Sequence, residues 1–183
     1  GLFHVSKKLC ETTPNAHILD QYGNNDNPDA HEEGTAVEIW NEFDGKIDMI
    51  VTGVGTGGTI TGIAKFLKQK NPNIKIVGAD PFGSILGGGK DVYPYKVEGI
   101  GYDFFPEVLD NSLIDQYIKV NDENSFDLAR QLIKKEGLLC GGSSGTVVWA
   151  ALEAAQFDEF VAQMPYGLYT MCGEDGIKLS GGQ

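Results

Sequence analysis

Two short runs carry most of the chemistry this sequence could perform. Gly55-Thr56-Gly57-Gly58-Thr59 lies inside VTGVGTGGTITG (residues 51–62), a stretch with five glycines in twelve positions. Each glycine costs roughly 0.5–1 kcal/mol in ordering entropy relative to alanine, and the usual return is close approach of the backbone to a ligand. Consecutive amides that open a helix can curl around one phosphate group, and the hydroxyls of Thr56 and Thr59 add donors at the same place. No G-K-[ST] follows, so a triphosphate-binding loop is excluded. The second run is Gly141-Gly142-Ser143-Ser144-Gly145, again glycines and hydroxyls ahead of an apolar segment. Alone, it reads equally well as a serine-capped helix start.

The first run also fits a dinucleotide fingerprint. Gly53, Gly55 and Gly58 match G-x-G-x-x-G, and Asp80 ends the next apolar run, where a ribose-binding carboxylate would lie. A dinucleotide fold does not require the second glycine run. A phosphate-bearing ring cofactor does need two anchors, one for the phosphate and one for the far side of the ring. The two runs together favour the monophosphate.

The surrounding elements must position these runs. Residues 1–16 predict the end of a helix and a turn, residues 17–22 a short extended segment, and GNNDNPDAHEEG (23–34) a polar loop. Val37, Ile39, Trp40 and Phe43 predict a helix over 35–43, stopped by Asp44-Gly45. IDMIVT (47–52) and IKIVGAD (74–80) read as buried strands either side of a helix over 59–70, which makes the sheet parallel. The glycine- and aromatic-rich stretch 81–110 is long enough to be functional. A strand over 113–120 follows, then a helix capped by Asn121 or Asp122 and ended by Gly137, then a helix over 144–156. The fold class is α/β, a mostly parallel sheet flanked by helices.

Composition narrows the function classes. The 183 residues carry a net charge of −12 with a single arginine, Arg130, which argues against nucleic acid. No apolar run is long enough for a membrane-spanning helix. Cys10, Cys140 and Cys172 are far apart and His4, His17 and His31 are scattered, so no metal site is expected. The cysteine usage points to a reducing, cytoplasmic setting. The chain opens on Gly1 rather than Met, which reads as a piece of something longer.

Several motifs taken together are specific. They are ILDQY, NP and AH in residues 18–31, DGKIDM (44–49), VGTGGTITGIAKFLK (54–68), VGADPFGSIL (77–86), VEGIGYDFFPEVLD (97–110) and EGLLCGGSSG (136–145). Through them the chain resembles the fold-type-II family of pyridoxal-phosphate-dependent enzymes, to which cysteine synthase and cystathionine β-synthase belong. GTGGTITG is common to both branches, whereas DPFGSIL, GIGYDF and LLCGGSSG are more similar to the cystathionine β-synthase branch. The resemblance covers about residues 15–156.

It implies that Gly55, Thr56, Gly57, Gly58 and Thr59 cradle the phosphate of pyridoxal 5'-phosphate and that Ser143 hydrogen-bonds its pyridine nitrogen. Gly99, Gly101, Tyr102 and Asp103 would shape the substrate side. The implied reaction is a β-replacement lyase step, L-serine with L-homocysteine giving L-cystathionine, by a homodimer of the full-length protein. A cysteine synthase acting on O-acetylserine and sulfide is the alternative within the family. From a different class comes a non-catalytic truncated paralogue acting as an interaction protein.

The chain departs from the family in three places. None of its thirteen lysines stands in the Ser-x-Lys context of the Schiff-base lysine, so no catalytic residue is assigned and the chain is expected to be incomplete at its N-terminus and inactive alone. Residues 71–74 are Asn-Pro-Asn-Ile where some relatives carry Cys-x-x-Cys. The tail 157–183 diverges. The expected domains are a remnant of a smaller N-terminal domain over 1–20 and a large cofactor-binding domain over 21–183.

Overall fold

The computed structural model describes residues 1–155. Three parallel strands form the centre in the order of the chain: β1 (Met49–Gly53), β2 (Lys75–Pro81) and β3 (Gln116–Val120). Ile50 pairs with Ile76, and Ala79 with Ile118, so the register is set by apolar residues on both sides of β2. Side chains alternate across a strand, and β2 uses both faces. Ile76, with Ile74 just ahead of the strand, joins one core cluster, whereas Val77 and Ala79 join the other.

Helix α4 (Gly58–Lys70) covers the first face. Its Ile60, Ile63, Ala64 and Leu67 recur at helical spacing and are all buried. The opposite face is covered by α6 (Gly142–Ala154), with α5 (Asp122–Gln131) packed against it. Asn121 caps α5, its side chain accepting from the Asn124 amide at 2.8 Å. A widened π turn over Leu132–Glu136 then ends at Gly137, whose φ of 69° supplies the left-handed stop. The strands and these helices lie where the apolar spacing puts them. Helix α6 begins at Gly142, with Gly141 as its cap residue and no side-chain cap, so the serine-capped reading is corrected.

Two further expectations fail. The short extended segment expected over 17–22 is cut short at Asp20, which takes φ 45° and leads into a turn, with the Tyr22 amide donating to Asp20 Oδ1 at 3.3 Å. The polar stretch 23–34 is mostly helix. It contains α2 (Asp26–Ala30) and a π turn (His31–Thr35), which run on into α3 (Ala36–Glu42). The cause is local. Asn24 Oδ1 accepts from the Asp26 amide at 3.0 Å, and Asp26 and Asp29 place negative charge in the first turn. Pro28 sits where its missing N–H would have had no helical partner. Ahead of all this, α1 (Leu2–Thr12) buries none of its residues and touches the rest through Phe3, whose ring meets Tyr22 at 5.2 Å.

One carboxylate ties the layers together before β3. Asp115 accepts from the Ile76 amide at 2.7 Å and from Lys68 Nζ at 2.7 and 2.9 Å. Burial opposes its ionisation, but the Lys68 and Ile76 bonds outweigh that and its pKa is lowered. No helix among the described residues is long and apolar enough to cross a membrane.

Candidate active site

The end of β1 and the start of α4 build the site. Here the chain leaves a strand and enters a helix within four residues, and Gly57 takes φ 88° to make the turn. An added Cβ at Gly57 would lie 2.5 Å from Leu109 Cβ, and one at Gly55 would lie 2.6 Å from the Gly99 carbonyl oxygen. Glycine is therefore required at both positions by space, and at Gly57 also by conformation.

The loop borders a cavity of about 300 Å³. Gly53, Gly55, Thr56, Gly57, Thr59 and Ile60 line one side, and Gln21, Gly99 and Tyr102 the other. None of these residues is acidic. The amides of Gly55, Thr56 and Gly57 meet no backbone acceptor among the described residues. The first amides of α4 have no helical acceptor either, and the helix dipole adds positive potential at the same end. The two threonine hydroxyls are held from behind. Asn27 Nδ2 donates to Thr56 Oγ1 at 3.2 Å and to the Gln21 carbonyl at 2.7 Å. Thr59 Oγ1 lies 3.1 Å from His31 Nε2, and His31 Nδ1 lies 2.9 Å from Thr35 Oγ1. A site of free amides, held hydroxyls and no carboxylate fits the phosphate of the expected cofactor.

The substrate-side residues divide. Gly99 and Tyr102 line the cavity. Gly101 does not; it is buried, and its amide donates to the Val54 carbonyl at 2.7 Å, which presses the 99–102 turn onto the glycine loop. Asp103 is exposed and lines none of it. The Tyr102 hydroxyl lies 3.0 Å from that of Tyr22. Burial first, and then this hydrogen bond, push the Tyr102 phenol up to about 12.

Gly58 is the first residue of α4, with Asn27 filling the space a side chain would need. Ser143 stands in the first turn of α6, four residues before Val147, so the two share a helix face. Val147 faces Gly53, where an added Cβ would lie 3.5 Å from Val147 Cγ2. Ser143 is thus on the helix that backs the site, though it is not among the cavity's lining residues.

Asp80 is withdrawn from the dinucleotide reading. It is fully buried, and its Oδ2 accepts from Lys119 Nζ at 2.7 Å and from the Gly87 amide at 2.8 Å. A carboxylate committed to an ion pair in the core cannot reach a ribose. Sequence reasoning missed Gln21, Tyr22, Asn27 and His31 as site residues. All four fall in DQY, NP and AH, which marked the segment as family-like but did not say what it touches. No group of three or more potential metal ligands occurs among the described residues.

Cystathionine beta-synthase of Dictyostelium discoideum is 57% identical over 156 residues, 83% of this chain and 31% of that one. The Rattus norvegicus protein of the same name is 54% identical over 157 residues, covering 83% and 28%. The chain thus spans about a third of the length of the curated relatives it matches. Among solved structures, a hydrogen sulfide-producing enzyme from Fusobacterium nucleatum superposes with a TM-score of 0.80 at 36% identity, covering 83% of this chain and 52% of that one. A cysteine synthase from Entamoeba histolytica gives 0.78 at 36%, covering 84% and 45%. The family model described as pyridoxal-phosphate dependent enzyme matches residues 3–163. Matched over most of its length by that model, and built on a parallel sheet flanked by helices, the chain belongs to the pyridoxal-phosphate-dependent enzyme family.

Proposed function

We propose that this chain is the cofactor-binding part of a β-replacement lyase of transsulfuration, condensing L-serine with L-homocysteine to L-cystathionine. The observation that carries the reading is the loop Gly55–Thr59, where Gly55, Thr56 and Gly57, whose amides meet no backbone acceptor among the described residues, and two held hydroxyls line a cavity without acidic residues. The identities of 57% and 54% to cystathionine beta-synthases favour this substrate pair over the cysteine synthase alternative.

In this reading Gly55, Thr56, Gly57 and Thr59 bind the cofactor phosphate, and Gly58 opens the helix behind them. Ser143 offers a neutral hydroxyl to the pyridine nitrogen and leaves the ring unprotonated. The cofactor, when bound, supplies an electron sink for negative charge at the amino acid's α-carbon. Gly99 and Tyr102 narrow the substrate side, and Asp103, next in sequence to Tyr102, is exposed and outside the cavity lining. Gly101 holds the turn through its amide.

No lysine is among the described residues that line the cavity. We therefore expect the chain alone to bind the cofactor through its phosphate without turning substrate over. This is also what the non-catalytic interaction reading expects, and co-purification with an intact homologue would favour that reading.

Inorganic phosphate or pyridoxal phosphate should raise the melting temperature of this chain by linkage, and Gly57→Val should abolish the rise. A rise that survives Gly57→Val, or one given by NADH but not by phosphate, contradicts the assignment. After mixing with pyridoxal phosphate and reducing with borohydride, mass spectrometry should find no single lysine labelled stoichiometrically. One such lysine would overturn the claim that this chain carries no covalent anchor.

A further inference from the structure

The turn Gly99–Tyr102 reaches the cavity from a long irregular segment, so something outside the cavity must hold it in place. Upstream, Asp122 at the start of α5 accepts from the Lys96 amide at 3.0 and 2.9 Å and from the Val97 amide at 3.2 Å. Downstream, the Ser84 side chain clasps the Tyr102 backbone on both sides. Ser84 Oγ donates to the Tyr102 carbonyl at 3.1 Å and accepts from the Tyr102 amide at 3.0 Å. The Ile85 amide donates to the same carbonyl at 2.9 Å. Ser84 is 2% exposed, so water does not compete for these bonds.

Ser84 is itself fixed by charge. Lys119 on β3 donates to the Ser84 carbonyl at 2.6 Å and to Asp80 Oδ2 at 2.7 Å. Asp80 is the last residue but one of β2 and is fully buried. The pair therefore anchors the 81–87 turn to two central strands. Breaking such a pair by removing one partner is costly, which makes it a firm base for whatever hangs from it.

We propose that Ser84, seated on the Lys119–Asp80 ion pair, is a positioning residue that sets Tyr102 and the Gly99–Gly101 turn against the glycine loop. Ser84 lines no part of that cavity and acts only through Tyr102. The inference rests on the proposed function for what Tyr102 faces, and its own geometry is tested without any ligand.

The test uses this chain with tyrosine labelled with carbon-13 at Cζ, titrated by NMR, with Tyr102 assigned from Tyr102→Phe. Tyr102 starts at about 12 because burial and Tyr22 both favour its neutral form. Ser84→Ala should lower that midpoint by about one unit or more toward the ordinary value near 10, because the phenol swings out of its seat. Tyr117 is the internal control. Burial first, and then the Asp80 charge, raise its phenol; Ser84→Ala leaves both in place and Tyr117 bonds Asn111 rather than the 99–102 turn, so it should not move. Ser84→Thr keeps the hydroxyl and should restore Tyr102.

An unchanged Tyr102 in Ser84→Ala overturns the proposal. So does a fall of both phenols together, which would mean general loosening. A second measurement needs no substitution and serves if Ser84→Ala does not fold. The Tyr102 amide should exchange its hydrogen as slowly as the amides of β2, and exchange at the rate of an exposed turn overturns the proposal. Since neither readout includes phosphate, failure here leaves the cradle assignment standing, and failure of the phosphate test leaves this one standing.

Discussion

The two glycine-rich helix starts look alike in sequence and differ in what their glycines do. At 55–59 the glycines clear space for backbone beside a cavity: Gly55 makes room for the Gly99 carbonyl and Gly57 makes the turn. At 141–145 the glycines serve helix packing. An added Cβ at Gly145 would run into the Ser125 carbonyl, and one at Gly142 would lie 2.5 Å from the Phe126 ring. Gly141 has open space and φ −88°. Beside them Thr146, fully buried, donates to Ser125 Oγ at 2.8 Å. One run is built around a void, the other around a helix crossing. Glycine density alone does not separate a ligand loop from a tight interface; the atoms that a side chain would strike do.

The largest expected effect tests the crossing. Gly145→Val puts a branched side chain into the backbone of α5, and overpacking of this kind should cost about 3 kcal/mol or more. Denaturant unfolding would measure it, and the phosphate-induced rise should persist in whatever stays folded. A neutral Gly145→Val would mean that the two helices do not meet this closely. Gly57→Val comes next, at about 2 kcal/mol for a positive φ and the Leu109 contact together. Unlike Gly145→Val it should remove phosphate binding altogether, and a variant that loses stability but keeps the phosphate effect would erase the distinction between the runs.

Alkaline pH separates the regions more gently. The raised Tyr102 pKa means that its contribution is fully present below the unfolded value near 10, and is lost as pH rises through the folded value of about 12. Amides at 99–102 should lose protection in that window before those of α5 and α6 do. Equal loss in both, followed by hydrogen exchange, would show that the titration is not local. The smallest effect is Gly141→Ala, within about 0.5 kcal/mol either way. A larger loss would place a ligand or a close neighbour at a position that is open here.

The strands, α4, α5 and the glycine turn between β1 and α4 were legible because they depend on near neighbours in sequence. An apolar run followed by glycines and a period of 3.6 is enough to place Ile60, Ile63 and Leu67 inside and Gly55–Gly58 at the turn. The helix through Asp26 and Glu32 was not legible, because its polarity and Pro28 outweighed the signal from Asn24. With it went Asn27 and His31, whose role is to hold Thr56 and Thr59 from nearly thirty residues away. Asp80 was misread for a related reason. A carboxylate at a strand end looks the same whether it meets a ribose or Lys119, and only the pairing of β2 with β3 decides. Ser143 was placed by family resemblance, and its position on the α6 face shared with Val147 comes from the helix start at Gly142.

Asp115 has a consequence beyond the bonds already described. Parallel strands have no hairpin to fix their alignment, and a slip of one residue exchanges every side chain between the two faces. Were β3 to slide by one against β2, Ile118 and Val120 would leave the α6 layer and Lys119 would leave Asp80. Asp115 stands one residue before β3 and already grips the Ile76 amide and Lys68. It works as an alignment pin, engaged only when Gln116 meets Val77. The pin is held above the ordinary carboxylate range near pH 4, and it is released as pH falls through the lowered value of the folded chain. Acid should therefore blur the pairing of β3 before it dissolves the sheet.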